Sequence, residues 1–302
     1  MNYAVAILKT FACLAVVSVH SGGGIPLSGY AVCAFMICSF VFWRVCSEAD
    51  LVKRLKRLYL PFAVWSMAPW FLRGINGFDF DFGSLVLQLI FGLTESPALY
   101  FIVLLAVYSV IVYCVQKSGR FLPVILTGLA VLCFVISQTG VNKGLWDSLP
   151  LCGRITCGRG VELFPCCAVG MLIGMGKGSK LRLLMGGGGA MLFCLCLWMG
   201  WDTEGFGYAS PRSLFGAVVA CAVAVSLKDW LPPMWMRRLT EEIAKLTGGI
   251  YFVHYPLLVV LGWFKVFDLK SYGFLFTFAV FALSAAICFA GQRIRRLKCV
   301  FS

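Results

Sequence analysis

The first hydrophobic segment, residues 4–20, reads AVAILKTFACLAVVSVH and contains two ionisable residues, Lys9 and His20. These seventeen residues are long and apolar enough to form most of a membrane-spanning helix. The eleven steps from Lys9 to His20 make about three turns, so both side chains lie on one helix face, about 16 Å apart along the axis. Ionisable groups at membrane depth are costly and by default mark a functional interior. The segment therefore predicts a spanning helix with a functional face.

The rest of the chain repeats this apolar pattern. Its 302 residues are 61% hydrophobic and 13% charged, with a mean hydropathy of +0.90. About ten stretches approach the roughly twenty apolar residues that span a bilayer. Their approximate cores are 4–20, 29–46, 58–72, 97–115, 121–138, 161–176, 182–199, 213–227, 247–264 and 272–291. A further run, 84–93, is too short to span and predicts a re-entrant or interfacial segment. We therefore expect an all-α integral membrane protein, a polytopic bundle of about ten transmembrane helices, as one domain over residues 1–302.

The net charge of +13 is better explained by membrane topology than by binding to nucleic acid. With the N-terminus in the cytoplasm and alternating sides, seventeen lysines and arginines fall on the cytoplasmic side and seven on the outer side. This asymmetry satisfies the positive-inside rule and places both termini in the cytoplasm. The first segment has no small-residue cleavage site, so we interpret it as a retained span and not as a signal peptide.

Two stretches of the sequence bear on where helices pack and begin. Gly186 to Gly189 fall inside a predicted span, where they favour close packing of helices over a broken helix. The stretch 228–246 predicts an interfacial cytoplasmic amphipathic helix beginning after Pro232-Pro233. The glycines Gly248 and Gly249 are then expected to start the ninth span.

The fifteen cysteines lie mostly within apolar segments, where they act as small hydrophobic residues. Cys152 and Cys157, in the outer connector expected at 139–160, could form a disulfide if that compartment oxidises thiols. Neither histidine has a cysteine partner close in sequence, so we expect no metal site.

Three groups of residues could carry chemistry, and each also has a structural interpretation. A membrane-embedded imidazole such as His20 can take a proton from an alcohol, or it can be hydrogen-bonded to a neighbouring helix. The run KRLKRLYLPF at 53–62 places four cations at the start of the third span. They suit phosphate binding, with bidentate contacts from arginine, or ordinary anchoring on the cytoplasmic side. These four cations are Lys53, Arg54, Lys56 and Arg57.

The third group is LTGGIYFVHYP at 246–256, which contains the second histidine, His254. Pro256 frees a backbone carbonyl in the preceding turn. A cavity-facing histidine and a structural one are both consistent with this pattern. Glu162, at the outer start of the sixth span, could orient a histidine or bind a hydroxyl, or lie in water as an interfacial acid.

Together, these groups resemble the membrane acyltransferase-3 family of bacterial surface-glycan O-acyltransferases. In the first helix of that family, ten residues separate a basic residue from a histidine, and Lys9 and His20 have this spacing. Its R-x-x-R motif at the third helix is matched by Arg54 and Arg57, and its late Ser-Tyr-x-x-Tyr-x-x-His-like motif by residues ending at His254. The chain departs from the family in the second helix, where FMICSFV at 35–41 lacks a glycine, and in ALYF at 98–101, which lacks a histidine. The late motif also lacks its Ser-Tyr pair.

The resemblance implies an acyl-CoA donor, acetyl-CoA by default, as co-substrate, with no bound cofactor. Arg54 and Arg57, helped by Lys53 and Lys56, would hold its phosphates on the cytoplasmic side. His20 would act as general base on a glycan hydroxyl or carry the acyl group itself, and Lys9 would hold the donor or stabilise developing charge. His254 and Glu162 are weaker candidates, for contact with the acceptor. The acceptor would be a cell-surface glycan or a lipid-linked sugar, at a bacterial inner membrane.

Two transport functions compete with this interpretation. A transporter or flippase for a glycan or lipid intermediate would explain ten spans and buried ionisable residues, but not a cytoplasmic arginine motif paired with a histidine. A proton-coupled carrier would use His20 and His254 as relays, but intramembrane acids are scarce. The sequence therefore favours a membrane-bound O-acyltransferase.

Overall fold

The computed structural model describes residues 2–22, 28–75, 81–92, 99–139, 148–175, 179–199, 210–263, 273–294 and 300–301. Within these ranges the chain forms eleven α-helices and no strand. The helices are α1 (Tyr3–Ser21), α2 (Ser28–Val41), α3 (Glu48–Ile75), α4 (Phe82–Phe91), α5 (Tyr100–Gln116), α6 (Leu122–Gln138), α7 (Leu151–Met175), α8 (Ser179–Trp198), α9 (Pro211–Ser226), α10 (Met234–Trp263) and α11 (Gly273–Arg293).

The all-α prediction is confirmed for the described ranges, and each expected segment overlaps one helix. The short run 84–93 becomes α4, which has ten residues. Five helices in the described part of the chain are long and apolar enough to cross a membrane. They are α1, α6 together with the three residues before it (Gly119–Gln138), α7, α10 and α11. These helices indicate a membrane protein, while the number of about ten spans stays a prediction.

Helix α1 joins the two apolar cores of the bundle. It packs against α2 and α9 on one side and against α10 and α11 on the other. Ala12 and Val16 belong to the larger core, which is formed with α2, α5, α7 and α9. Cys13 and Val17 belong to the smaller core, which is formed with α10 and α11. Since both cores meet α1, its ionisable residues lie at the junction of the bundle.

Large apolar side chains also cover the outer surface of the bundle. Leu184 and Leu275 are each 74% exposed, and Phe11 is 64% exposed. In water such a surface would drive aggregation, whereas lipid tails cover it without cost. This surface agrees with the membrane assignment.

Two glycines spaced four residues apart allow α7 to approach α2 closely. A Cβ atom on Gly170 would collide with the carbonyl oxygen of Ile37, and one on Gly174 would collide with that of Val41. This is the small-xxx-small arrangement that lets helix backbones touch in membranes. The contact fixes the position of α2 against α7.

The glycine run of α8 is partly explained by packing, as predicted. A Cβ on Gly186 would lie 3.3 Å from Ala222, and one on Gly189 would lie 3.2 Å from Val218, both on α9. Gly187 and its neighbour Gly188 face open space instead. Two of the four glycines therefore serve the contact with α9.

The expected break between the amphipathic stretch 228–246 and the ninth span is wrong. Helix α10 begins directly after Pro233, as predicted, but then continues without interruption through both glycines. Gly249 is there for a close approach, because its Cβ would lie 2.5 Å from the carbonyl oxygen of Phe301 and 2.7 Å from Sγ of Cys288. The glycine makes room for neighbouring chain segments and does not end a helix.

The expected outer connector 139–160 is also wrong in its second half, because α7 begins at Leu151. Cys152 and Cys157 therefore lie on one helix, and both are free thiols. Five residues turn a helix by about 140°, so the two side chains diverge. The disulfide considered from their spacing does not form here.

The Gly170 contact can be tested by adding one methyl group. We expect Gly170→Ala to destabilise the protein by about 1–3 kcal/mol, because the new Cβ would collide with the backbone of Ile37 and the Cβ of Phe40, which cannot turn away. Gly187→Ala is the matched control and should be neutral or slightly stabilising, since alanine favours helix and meets open space. Thermal unfolding of the detergent-solubilised proteins measures both. Equal unfolding temperatures for the two variants would contradict the packing assignment.

Candidate active site

His20 lies in the last turn of α1. Asn2 caps the start of the helix by accepting a hydrogen bond from the amide of Val5, and Gly22 ends it with φ of 73°. One residue after the histidine, the hydroxyl of Ser21 lies 2.7 Å from that of Thr277 on α11. These contacts hold the C-terminal end of α1, and hence His20, against α11.

The structure brings the two histidines of the chain together. Their ring centroids are 5.4 Å apart, and the ring planes are inclined at 41°. His20 also meets the ring of Tyr255 edge-on at 5.8 Å. Sequence reasoning placed His254 on the acceptor side of an acyltransferase, and it linked His254 to His20 only as relays of a proton-coupled carrier. It gave Tyr255 no role, although this tyrosine stands in the same motif.

His254 is completely buried, on α10. Its Nδ1 lies 3.2 Å from the carbonyl oxygen of Ile250, one turn earlier. A carbonyl oxygen only accepts hydrogen bonds, so Nδ1 carries the hydrogen and Nε2 is left with a lone pair. That Nε2 has no hydrogen-bond partner among the described residues. A buried acceptor without a partner is destabilising and points to a group that binds there.

Aromatic rings enclose the histidine pair on its inner side. Tyr251, one turn before His254, packs against that ring at 5.9 Å. It also packs against Phe35 of α2 at 6.1 Å and against Phe101 of α5 at 5.6 Å. The pair therefore has an aromatic wall toward α2 and α5.

Lys9 does not touch the histidine pair. It lies about three turns from His20 along α1. Its ammonium group is within electrostatic range of the thiols of Cys38 and Cys221, on α2 and α9. These two sulfur atoms are 3.7 Å apart. The shared face predicted for Lys9 and His20 thus meets different neighbours at its two ends.

The cation cluster lies in the first three turns of α3. The amide of Asp50 donates to the hydroxyl of Ser47, and the amide of Ser47 donates to the carboxylate of Asp50, which forms a capping box. Hydrogen bonds from the hydroxyl of Ser47 and from the amides of Cys46 and Ser47 lower the pKa of Asp50. The ionised carboxylate then caps α3 at its positive end.

A cavity of about 1110 Å³ opens beside this part of α3. Its described lining residues all belong to α3, and three of them are the cations Lys53, Lys56 and Arg57. The side chains of these three cations are exposed, so they are free to meet an anionic ligand. This volume is slightly larger than the range of about 300–1,000 Å³ that is usual for small-molecule sites in proteins.

Arg54 faces the bundle and not the cavity. Its Nε donates to the hydroxyl of Ser109 at 2.8 Å, and a terminal nitrogen donates to the carbonyl oxygen of Ser39 at 3.3 Å. The guanidinium also lies over the rings of Phe40 and Trp43, at 5.3 and 4.9 Å from their centres. Three residues turn a helix by about 300°, so Arg54 and Arg57 diverge by about 60°. The two arginines of the motif therefore have different surroundings.

Glu162 lies on α7, away from the cation cavity. Its Oε2 is buried and accepts no hydrogen bond within the described part of the chain. The charge of Arg159 lies within electrostatic range. No contact between Glu162 and either histidine occurs among the described residues. The structure groups no three histidine, cysteine, aspartate or glutamate side chains as metal ligands in the ranges that it describes.

Comparison with known proteins identifies a family for the chain. The family model described as "Acyltransferase domain", that of the acyltransferase-3 family, matches residues 2–293. No curated protein and no solved structure matches the chain. The matched range contains all eleven helices, with both histidines and the cations of α3. The chain belongs to the acyltransferase-3 family.

Proposed function

We propose that the protein transfers an acyl group, acetyl by default, from acyl-CoA to a hydroxyl group of a cell-surface glycan or lipid-linked sugar. The observation that carries this proposal is the pairing of His20 with a second, fully buried imidazole whose Nε2 has a free lone pair. Two adjacent imidazoles can accept and pass on the proton that an alcohol must lose during acylation. Membership of an acyltransferase family supports group transfer over transport.

The donor would bind at the start of α3. Lys53, Lys56 and Arg57 line a cavity that is large enough for a phosphorylated nucleotide. Arginine binds phosphate through two parallel hydrogen bonds, and lysine contributes a point charge. Arg54, expected from the sequence to share this task, would support it from within the bundle by holding α3 against Ser109 of α5.

The transfer would then take place at His20. As general base, His20 removes the proton of the acceptor hydroxyl while the hydroxyl oxygen attacks the thioester carbonyl. The carbon–sulfur bond breaks, the acyl group becomes an ester, and the thiolate leaves as free thiol with that proton. Alternatively, His20 first carries the acyl group itself, with the same products. Lys9, about three turns away along α1, is too far to contact the oxyanion and would instead help to hold the negatively charged donor.

The acceptor would approach from the opposite face of the membrane. In the topology favoured by the positive-inside rule, α3 begins in the cytoplasm and His20 lies near the outer surface. His254 and Glu162 would contact the acceptor on that side, as hydrogen-bond acceptors for its hydroxyl groups. The same topology gives cytoplasmic termini and, following the family, a bacterial inner membrane.

Thiol release from acetyl-CoA by the purified, detergent-solubilised protein tests the chemistry. We expect His20→Ala to reduce this release by at least about a hundredfold, because general-base catalysis contributes that much or more. The protein should stay folded and still bind the donor, since the cations of α3 are untouched. Phe11→Ala is the control on the same helix, because its side chain faces outward.

Two results would contradict the proposal in different ways. Release that is unaffected by His20→Ala would remove the catalytic assignment of His20. Neither release nor binding of acetyl-CoA, even with crude glycan extracts as acceptor, would favour the transporter or flippase.

The donor site can be tested by equilibrium binding of CoA. We expect Arg57→Ala to weaken binding about ten- to a hundredfold, since a charged hydrogen bond contributes about 1.5–3 kcal/mol. The loss should shrink as salt is added, because the cations are exposed. Arg120→Ala is the matched control, because this exposed cation stacks on its neighbour Phe121 away from the cavity. Equal affinities for the two variants would exclude the cavity of α3 as the phosphate site.

A further inference from the structure

We propose that His254 is a positioning residue for His20: its Nε2 accepts the hydrogen of one His20 ring nitrogen and so leaves the other nitrogen free to take the substrate proton. This inference rests on the proposed function and deepens it by giving the second imidazole a task. It replaces the direct acceptor contact proposed above for His254 with an action through His20.

The first step is the tautomer of His254. Its Nδ1 is held by the carbonyl oxygen of Ile250 at 3.2 Å, in the same helix. This carbonyl can only accept, so the ring hydrogen is on Nδ1 and the lone pair is on Nε2. The hydrogen bond made by one nitrogen of an imidazole commonly determines which nitrogen is free to react. In His254 that bond is made to the backbone of its own helix.

The second step is the free acceptor. Nε2 of His254 has no hydrogen-bond partner among the described residues, although the side chain is fully buried. Tyr251 meets this ring at an angle and therefore packs against it. A buried acceptor of this kind requires a donor in the working state of the protein.

The third step is the identity of that donor. The ring of His20 is centred 5.4 Å from that of His254. An N–H···N bond of about 2.9 Å, with a ring radius added at each end, puts two imidazole centres about 5 Å apart. At 5.4 Å the two rings are close enough for this bond to form once their nitrogens face each other, and catalytic hydrogen bonds often tighten only when substrate binds. The ring of Tyr251, centred 5.9 Å from that of His254, is farther away.

The consequence is a chain of two imidazoles with defined protonation. His20 donates through one nitrogen to His254, so its other nitrogen is unprotonated and faces the substrate. When it takes the hydroxyl proton, the resulting imidazolium is stabilised by the lone pair of His254. The proton then passes to the departing thiolate, and both rings return to their starting forms. The same tautomer is needed if His20 carries the acyl group.

Steady-state kinetics with acetyl-CoA separate positioning from packing. We expect His254→Phe to lower kcat about a hundredfold and to leave KM for the donor nearly unchanged. His254→Gln keeps an acceptor oxygen near the position of Nε2, so it should recover kcat to within about tenfold of the unmodified protein. Val253→Ala, which opens a gap in the core of the same helix, is the packing control. If His254→Gln is as slow as His254→Phe, or if Val253→Ala is, the positioning role is overturned.

Nitrogen-15 NMR of the ring nitrogens tests the pair without any turnover. The chain has only two histidines, so labelling histidine gives two imidazoles, which single variants assign. We expect His254 to carry its hydrogen on Nδ1, and His20 to hold one tautomer that becomes a mixture in His254→Phe. A hydrogen on Nε2 of His254, or a His20 spectrum unchanged by His254→Phe, would overturn the inference. Absence of thiol release by the unmodified protein would instead count against the proposed function, while the spectra would still report on the pair.

Discussion

The absence of water in the bilayer core is the constraint on which the rest of this structure depends. Every backbone amide and carbonyl in that region must find a partner within the protein, and a helix provides those partners locally. Polar side chains in the same region face the same requirement, since an unpaired group there is costly. Several hydroxyls in the described part of the chain return to the backbone of their own helix, as the hydroxyl of Ser109 does at 2.6 Å from the carbonyl of Leu105. A buried polar group that does not, such as Nε2 of His254, is therefore informative.

Helix contacts in this bundle follow from the same constraint. Lipid tails are as apolar as leucine, so burial of apolar side chains does not by itself drive helices together. Close approach of backbones takes over this role, and it depends on residues without side chains. Gly170 and Gly174 bring α7 onto α2, and Gly249 admits both Cys288 and Phe301. Small residues thus position the helices on which the candidate site is built.

Much of the fold could be predicted because hydropathy is a local property. The segment over 4–20 and the short run 84–93 correspond closely to α1 and α4. The predictions that fail depend on tertiary contacts. The glycines of α10 resemble a helix boundary in the sequence, and the close approach of Phe301 explains Gly249. The site divides in the same way. Spacing on one helix indicated His20, whereas its pairing with His254 depends on how α1 packs against α10.

The two arginines of α3 illustrate the limit most clearly, because a motif spacing does not say which way each side chain turns. Arg54 is half-buried against aromatic rings and two serines, and it gives that end of the bundle a fixed positive charge. Lys9 adds a second positive charge, in the half of α1 away from His20. A low-dielectric wall strengthens the field of such charges, which would attract an anionic donor to that end. The other end offers imidazoles instead, which can exchange a proton with a neutral hydroxyl. The charge distribution of the helices would therefore set the direction of transfer, with the anion entering from the cation side and the alcohol from the histidine side.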